Sequence, residues 1–306
     1  MLIPADTILC MVMNNVSNRS RGILFIVLSA LMFAGMNLFV KLSGDLPVFQ
    51  KVFFRNAIAA VIALIVLLKN KDPLLPKSRS TALFLVLRTA FGLTGVICNF
   101  YAVDRLVIGD ASILNKMSPF FAVIFAFVFV RERPRLYQWL ILAGAVGGAV
   151  FVIKPSFSNA SFLPAAIGFL GGVAAGAAYG CVRKLGMLGE NRAYIVFFFS
   201  AGSTLVVTPV MLIGYRPMAL MQLAALLGAG VCAALAQFCI TAAYTYAPPK
   251  DISVYDFSQV IFASLLGWIV LGELPDHWSL LGYAIILSMA ALNYLLSSRI
   301  NKKQTG

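Results

Sequence analysis

The chain has 306 residues, 61% of them hydrophobic and 11% charged, with a mean hydropathy of +0.92. A sequence so apolar cannot cover a water-facing surface with polar groups, which excludes a soluble domain and places the chain in lipid. Its net charge of +13 sits in basic residues between apolar runs, with no Lys/Arg stripe interleaved with aromatics, so the expected partner is the lipid bilayer and not nucleic acid.

At the N-terminus, residues 1–19 carry Asp6, Asn14, Asn15 and Asn18 and lack a basic end followed by a small-residue cleavage site. The expectation is a short cytoplasmic tail, not a cleaved signal, with Met11 and Met13 as alternative starts. Ten apolar runs follow, each near the ~20 residues that cross ~30 Å of hydrocarbon. They are Gly22 to Lys41, Pro47 to Leu68, Thr81 to Val103, Gly109 to Val130, Leu136 to Ile153, Phe162 to Arg183, Ala193 to Ile213, Ala219 to Tyr246, Asp251 to Leu271, and Trp278 to Ser297. Turn-rich joints such as Ser43-Gly44-Asp45, Lys154-Pro155-Ser156, Arg216-Pro217 and Pro248-Pro249 separate them, and none is long enough for a soluble domain. The expected fold class is all-α, a polytopic membrane protein of ten transmembrane helices.

A charge inside hydrocarbon costs about 2.5 to 3.5 kcal/mol on insertion scales, so each needs a partner or a wet cavity. Four qualify: Arg55 in span two, Arg88 in span three, Lys116 in span four and Asp256 in span nine. Helical spacing adds neighbours. Arg88, Gly92, Gly95 and Asn99 form one stripe on span three, where glycines leave room beside a guanidinium. Span four groups Ser112, Asn115, Lys116 and Pro119, span nine groups Ser253, Asp256 and Gln259, span eight groups Gln237, Thr241 and Tyr244, and span one offers Asn37.

Substrate contact is therefore expected at Asn37, Arg55, Arg88, Asn99, Asn115, Lys116, Gln237, Tyr244 and Gln259. A guanidinium fork suits a carboxylate or phosphate; the plainer alternative for Arg55 and Arg88 is a structural pair with Asp256 or capture of helix-end carbonyls. Lys116 either touches substrate or neutralises Asp256. As the one acid within a span, Asp256 is the candidate for proton coupling, because burial and a nearby cation pull its protonation in opposite directions and a conformational change can switch it. Its alternative is a permanent ion pair.

Other features read as structural. Asp110 and Asp251 begin spans, where a short acid caps backbone N–H groups. Glu132 and Glu273 end spans and should pair with basic neighbours or cap turns, with gating as the alternative. Gly168, Gly172, Gly176 and Gly180 on span six, and Gly144 and Gly148 on span five, are ladders for close helix packing, with homodimerisation through them as the alternative. Trp139, Trp268 and Trp278 suit interfacial anchoring, and His277 a surface position. The cysteines Cys10, Cys98, Cys181, Cys232 and Cys239 show no metal or redox spacing, so buried thiols are expected, with no disulfide, metal or cofactor.

Residues 99 to 134 are echoed by residues 240 to 275. At a shift of 141, Ala102 meets Ala243, Asp110 meets Asp251, Ser112 meets Ser253, Asn115 meets Asp256, and Glu132 and Pro134 meet Glu273 and Pro275. Five spans per half is an odd number, so the second copy must insert upside down, giving two inverted repeats over 20–154 and 155–306. With both termini in the cytoplasm, sixteen Lys and Arg fall inside and only Lys41, Lys51, Arg105, Lys154 and Arg216 outside, which sets that orientation.

The passage Tyr101-Ala102-Val103-Asp104-Arg105-Leu106, then Gly109-Asp110-Ala111-Ser112, Ser118-Pro119-Phe120-Phe121 and Arg131-Glu132-Arg133, resembles the end of the first repeat in the ten-helix EamA-type branch of the drug/metabolite transporter superfamily. The second half, Tyr244-Thr245 through Gly272-Glu273, is similar but has Val260 where the first copy has Pro119. The resemblance implies an inner-membrane carrier working by alternating access, its cavity lined by spans one to four and six to nine, with spans five and ten peripheral.

Tyr255-Asp256 and Gly109-Asp110 are similar to the paired motifs of presenilin-type proteases, yet Val107 stands where that family needs glycine and the motif order is reversed. Metalloprotease, P-loop and serine-hydrolase motifs are absent. The chain is thus read as no enzyme but a secondary transporter of a small polar metabolite, anionic or zwitterionic like an amino acid or organic acid, exported across the cytoplasmic membrane with proton exchange. An uptake carrier or a multidrug or cationic-compound exporter is the alternative, ahead of a channel or intramembrane enzyme.

Overall fold

A computed structural model describes residues 18–72, 75–130, 135–153, 161–246 and 254–305. Its helices are α1 (Asn18–Leu42), α2 (Val48–Asn70), α3 (Arg79–Arg105), α4 (Ile108–Asn115), α5 (Ser118–Val130), α6 (Leu136–Ile153), α7 (Phe162–Met187), α8 (Arg192–Ile213), α9 (Leu220–Tyr246), α10 (Ser258–Leu271) and α11 (His277–Thr305). Ten spans are long and apolar enough to cross a membrane; the fourth runs through α4 and α5, and the ninth starts at Val254 and continues as α10. Helices are the required solution, since hydrocarbon offers no partner to an open backbone group. The expected positions Cys10, Glu132, Pro134, Asp251 and Ser253 lie outside the described residues, as does the side chain of Tyr244.

Local chemistry sets the ends. Ser78 Oγ accepts from the Thr81 N–H at 3.1 Å to start α3, and Asn191 Oδ1 accepts from Ala193 and Tyr194 N–H groups at 2.8 and 3.3 Å to start α8. Gly272, at φ 68°, stops α10 in a Schellman turn in which the Glu273 N–H reaches the Gly267 carbonyl at 3.1 Å.

Spans four and nine, read from sequence as continuous, are both interrupted. Between α4 and α5 the Lys116 N–H donates to the Ser112 carbonyl at 3.0 Å and the Met117 N–H to the Leu114 carbonyl at 3.2 Å. Pro119 then has no N–H to offer Asn115. In span nine the helix turns tightly at Phe257, whose N–H donates to the Val254 carbonyl at 3.3 Å. Shifting by 141 lays Lys116 on Phe257, so the two interruptions fall at equivalent positions of the two halves. Paired broken helices of this kind mark binding sites in repeat-built carriers.

Helix pairing is unchanged when the halves are exchanged. Span one (α1) packs on span eight (α9) as span six (α7) packs on span three (α3), and spans two and seven (α2, α8) pack together. Spans five and ten (α6, α11) pair at one side. The glycine ladder of α7 faces the broken span four: a Cβ on Gly172 would lie 2.5 Å from the Leu114 carbonyl oxygen, one on Gly176 2.6 Å from Phe121 Cβ, and one on Gly180 2.9 Å from Phe125 Cβ. Gly144 and Gly148 face Met289 and Ile286 of α11. Both ladders are therefore packed against helices of the same chain. Trp139, Trp268 and Trp278 stay exposed near span ends, as anchoring rings do.

Candidate functional site

A cavity of about 70 Å³ lies between the halves. Its walls come from α1 (Phe33, Met36), α2 (Arg55), α3 (Arg88, Gly92, Gly95, Val96, Asn99, Phe100), the break after α4 (Asn115, Lys116), α7 (Ala175, Ala178, Tyr179), α8 (Phe199), α9 (Gln237) and α10 (Gln259). These are spans one to four and six to nine, the set implied by the family resemblance. Of the sequence candidates, Arg55, Arg88, Asn99, Asn115, Lys116, Gln237 and Gln259 are thus brought together. Asn37 sits one layer back: it accepts from Asn99 Nδ2 at 3.1 Å and donates to Ser112 Oγ at 3.2 Å, which fixes the Asn99 amide.

All four intramembrane charges turn inward, with exposures of 1% at Arg55, 6% at Arg88, 2% at Lys116 and 1% at Asp256. Lys116 Nζ pairs with Asp256 Oδ2 at 2.6 Å, joining the two helix breaks across the molecule. This corrects the alternative that Arg55 or Arg88 holds Asp256. The Lys116 ammonium also lies 5.8 Å from the centre of the Phe33 ring. Asp256 Oδ1 is buried with no hydrogen-bond partner.

Both guanidiniums face one ring. Arg88 Cζ is 4.0 Å and Arg55 Cζ 5.5 Å from the centre of Phe199, a cation–π arrangement worth about 2 kcal/mol or more when desolvated. Arg55 also donates to the Asn56 side-chain oxygen. Among the described residues neither guanidinium forms an ion pair, and the Nε of each is buried without a partner. Tyr179 lies within electrostatic reach of Arg55, Arg88 and Asp256. The expected room beside Arg88 comes from Gly92, where a Cβ would collide with Arg88 Nη1; Gly95 instead lets α7 approach, with the Gly171 carbonyl 3.3 Å from its missing Cβ.

Sequence reasoning missed Phe33, Tyr179 and Phe199. Phe199 ends a run of three phenylalanines that gives no sign of which ring turns inward, and Tyr179 lies among small residues whose only visible pattern was packing.

Two ion pairs lie toward the face opposite the termini. Lys51, counted as a loop cation, is 1% exposed and pairs with Asp104 at 2.6 Å. Lys41 pairs with Glu273 and donates to the Leu106 carbonyl. Glu273 also accepts from the Ile108 N–H at 3.1 Å. Glu273 thus caps α4, and Asp110 in the first turn of that helix accepts from Tyr283 Oη at 2.7 Å. At the terminal face a hollow of about 460 Å³ opens between α2, α8 and α9, beside Asn70, Glu190 and Arg192. The four described cysteines are free; only Cys181 is fully buried, the other three being partly covered.

Comparisons with known proteins agree with this architecture. The sequence model of the EamA-like transporter family matches residues 20–154. The chain is 35% identical over 271 residues to the pseudopaline exporter CntI of Pseudomonas aeruginosa, spanning 87% of this chain and 93% of the exporter. It is 29% identical over 187 residues to the riboflavin transporter of Vibrio cholerae, spanning 58% of this chain and 59% of that protein. A protein of known crystal structure matches at a TM-score of 0.64 and 15% identity, over 92% of this chain and 99% of that one, a likeness of fold alone. With ten apolar spans, equivalently broken helices and this similarity over most of its length, the chain belongs to the EamA-like transporters of the drug/metabolite transporter superfamily.

Proposed function

We infer that this multi-pass membrane transporter is a secondary active carrier that exports a small polar metabolite, anionic or zwitterionic, in exchange for protons. The observation that carries the reading is the charge balance of the cavity: three buried cations, Arg55, Arg88 and Lys116, stand against one buried acid, Asp256. A cationic drug would enter a field of its own sign, so export of cations is disfavoured. The resemblance to a named exporter supports outward transport, and the excess of basic residues at the terminal face supports cytoplasmic termini.

Exchange has a physical basis at Asp256. Its Oδ2 holds Lys116 while Oδ1 is unpartnered, so a proton and a cargo N–H group compete for the same atom. Competition for one site is what links two solutes moving in opposite directions. Asn99, Asn115, Gln237 and Gln259 supply neutral hydrogen bonds that orient cargo without adding charge.

The test is flux in proteoliposomes over amino acids, organic acids, nucleotides and cationic dyes, with and without a pH gradient. Acidic or zwitterionic solutes should move, faster against an opposing proton gradient, and Asp256→Asn should abolish that acceleration. Undiminished pH-driven flux in this variant would remove the proton assignment, and no flux of any solute would remove the carrier reading.

A further inference from the structure

Arg55 and Arg88 are two buried cations with no counter-ion among the described residues, whereas Lys116 has one. An uncompensated buried charge costs several kcal/mol, and Phe199 offsets only part of this for the pair. Both guanidinium carbons lie close to one ring centre, so their separation cannot exceed those two short distances combined, a gap that a four- or five-carbon chain spans. Each group keeps a buried Nε with no hydrogen-bond partner among the described residues, and each can therefore take a carboxylate in fork geometry. A single acid would leave one cation unmatched.

We propose that the cargo carries two acidic groups, one for Arg55 and one for Arg88. This rests on the carrier reading and narrows it from acidic solutes in general to diacids. Phe199 is the ring that both guanidiniums share. Ionised cargo fills the charge deficit, so the loaded site is more stable than the empty one. Lys116 and Asp256 stay available to read the remainder of the cargo, which separates recognition of acids from coupling to protons.

The experiment compares matched solutes by the thermal midpoint of the purified full chain: butyrate with glutarate, alanine with aspartate, and inorganic phosphate as one compact dianion. Glutarate and aspartate should each bind at least about tenfold tighter than their monoacid partners, equivalent to about 1.4 kcal/mol, and tighter than phosphate. Arg55→Gln or Arg88→Gln should abolish the diacid advantage without lowering the ligand-free midpoint, because each removes an unmatched charge. Arg88→Lys, which keeps charge but not the fork, should retain the preference at weaker affinity, and serves if a glutamine variant fails to fold. Equal stabilisation by mono- and diacids, or a phosphate effect matching glutarate, overturns the proposal while leaving the carrier reading intact. Absence of flux for every solute overturns the carrier reading while leaving this binding readout to stand.

Discussion

Among single residues, Gly92 shows how a small side chain sets a charged one. Its missing Cβ leaves the space that Arg88 Nη1 occupies, and the same Cβ would lie 2.8 Å from Phe199 Cε2. Gly92→Ala should drive the guanidinium off the ring and weaken diacid binding by about tenfold, or about 1.4 kcal/mol, with little change in the ligand-free thermal midpoint; calorimetric titration with glutarate checks this, and unchanged affinity would mean that Arg88 is free to shift without loss. The four inward charges were legible in sequence because a charge in an apolar run has few places to go. Their partners were not. Sequence offered Arg55, Arg88 and Lys116 each as a possible partner of Asp256, and the packing of the two helix breaks gives the pair to Lys116. Lys51 looked like a loop cation for the same reason: nothing local reveals that Asp104, on another helix, lies across from it.

At the scale of helices, the broken spans four and nine are the moving parts that the fold suggests, and α7 is the surface on which span four rests. Gly172 admits the Leu114 carbonyl, which a Cβ would meet at 2.5 Å, and backbone cannot rotate away as a side chain can. Gly172→Val should lower the thermal midpoint, at a cost of about 1 to 3 kcal/mol from overpacking, and should slow flux; a variant as stable and active as the parent would show that α7 does not fix the break. The ten spans were readable from hydropathy, and the ladders from spacing. Neither interruption was: Pro119 reads in sequence only as part of the polar group of span four, and span nine has Val260 at the matching position. The asparagine and glycine content of α3 pointed to a polar stripe, but the division of labour between Gly92, beside Arg88, and Gly95, beside Gly171, depends on which neighbour each glycine meets.

For the whole molecule, the two faces differ in a way that fits one state of an alternating cycle. The buried Lys51–Asp104 pair is costly to break, about 3 to 5 kcal/mol when one partner is lost, and belongs to a rigid part. Lys41–Glu273 is partly exposed at 18% and 22% and such pairs contribute about 0 to 1 kcal/mol, so in the proposed cycle it is the contact expected to open and close. The most direct measurement places a cysteine at Ala178, which lines the cavity, in a chain whose five native cysteines are replaced by alanine. A water-soluble, membrane-impermeant thiol reagent is then applied to oriented vesicles from either face. Labelling from both faces is expected, with Glu273→Gln raising labelling from the face opposite the termini and lowering it from the other. Labelling from one face alone in both backgrounds, or only by a lipid-soluble reagent, would contradict a shared central cavity that opens to each side in turn.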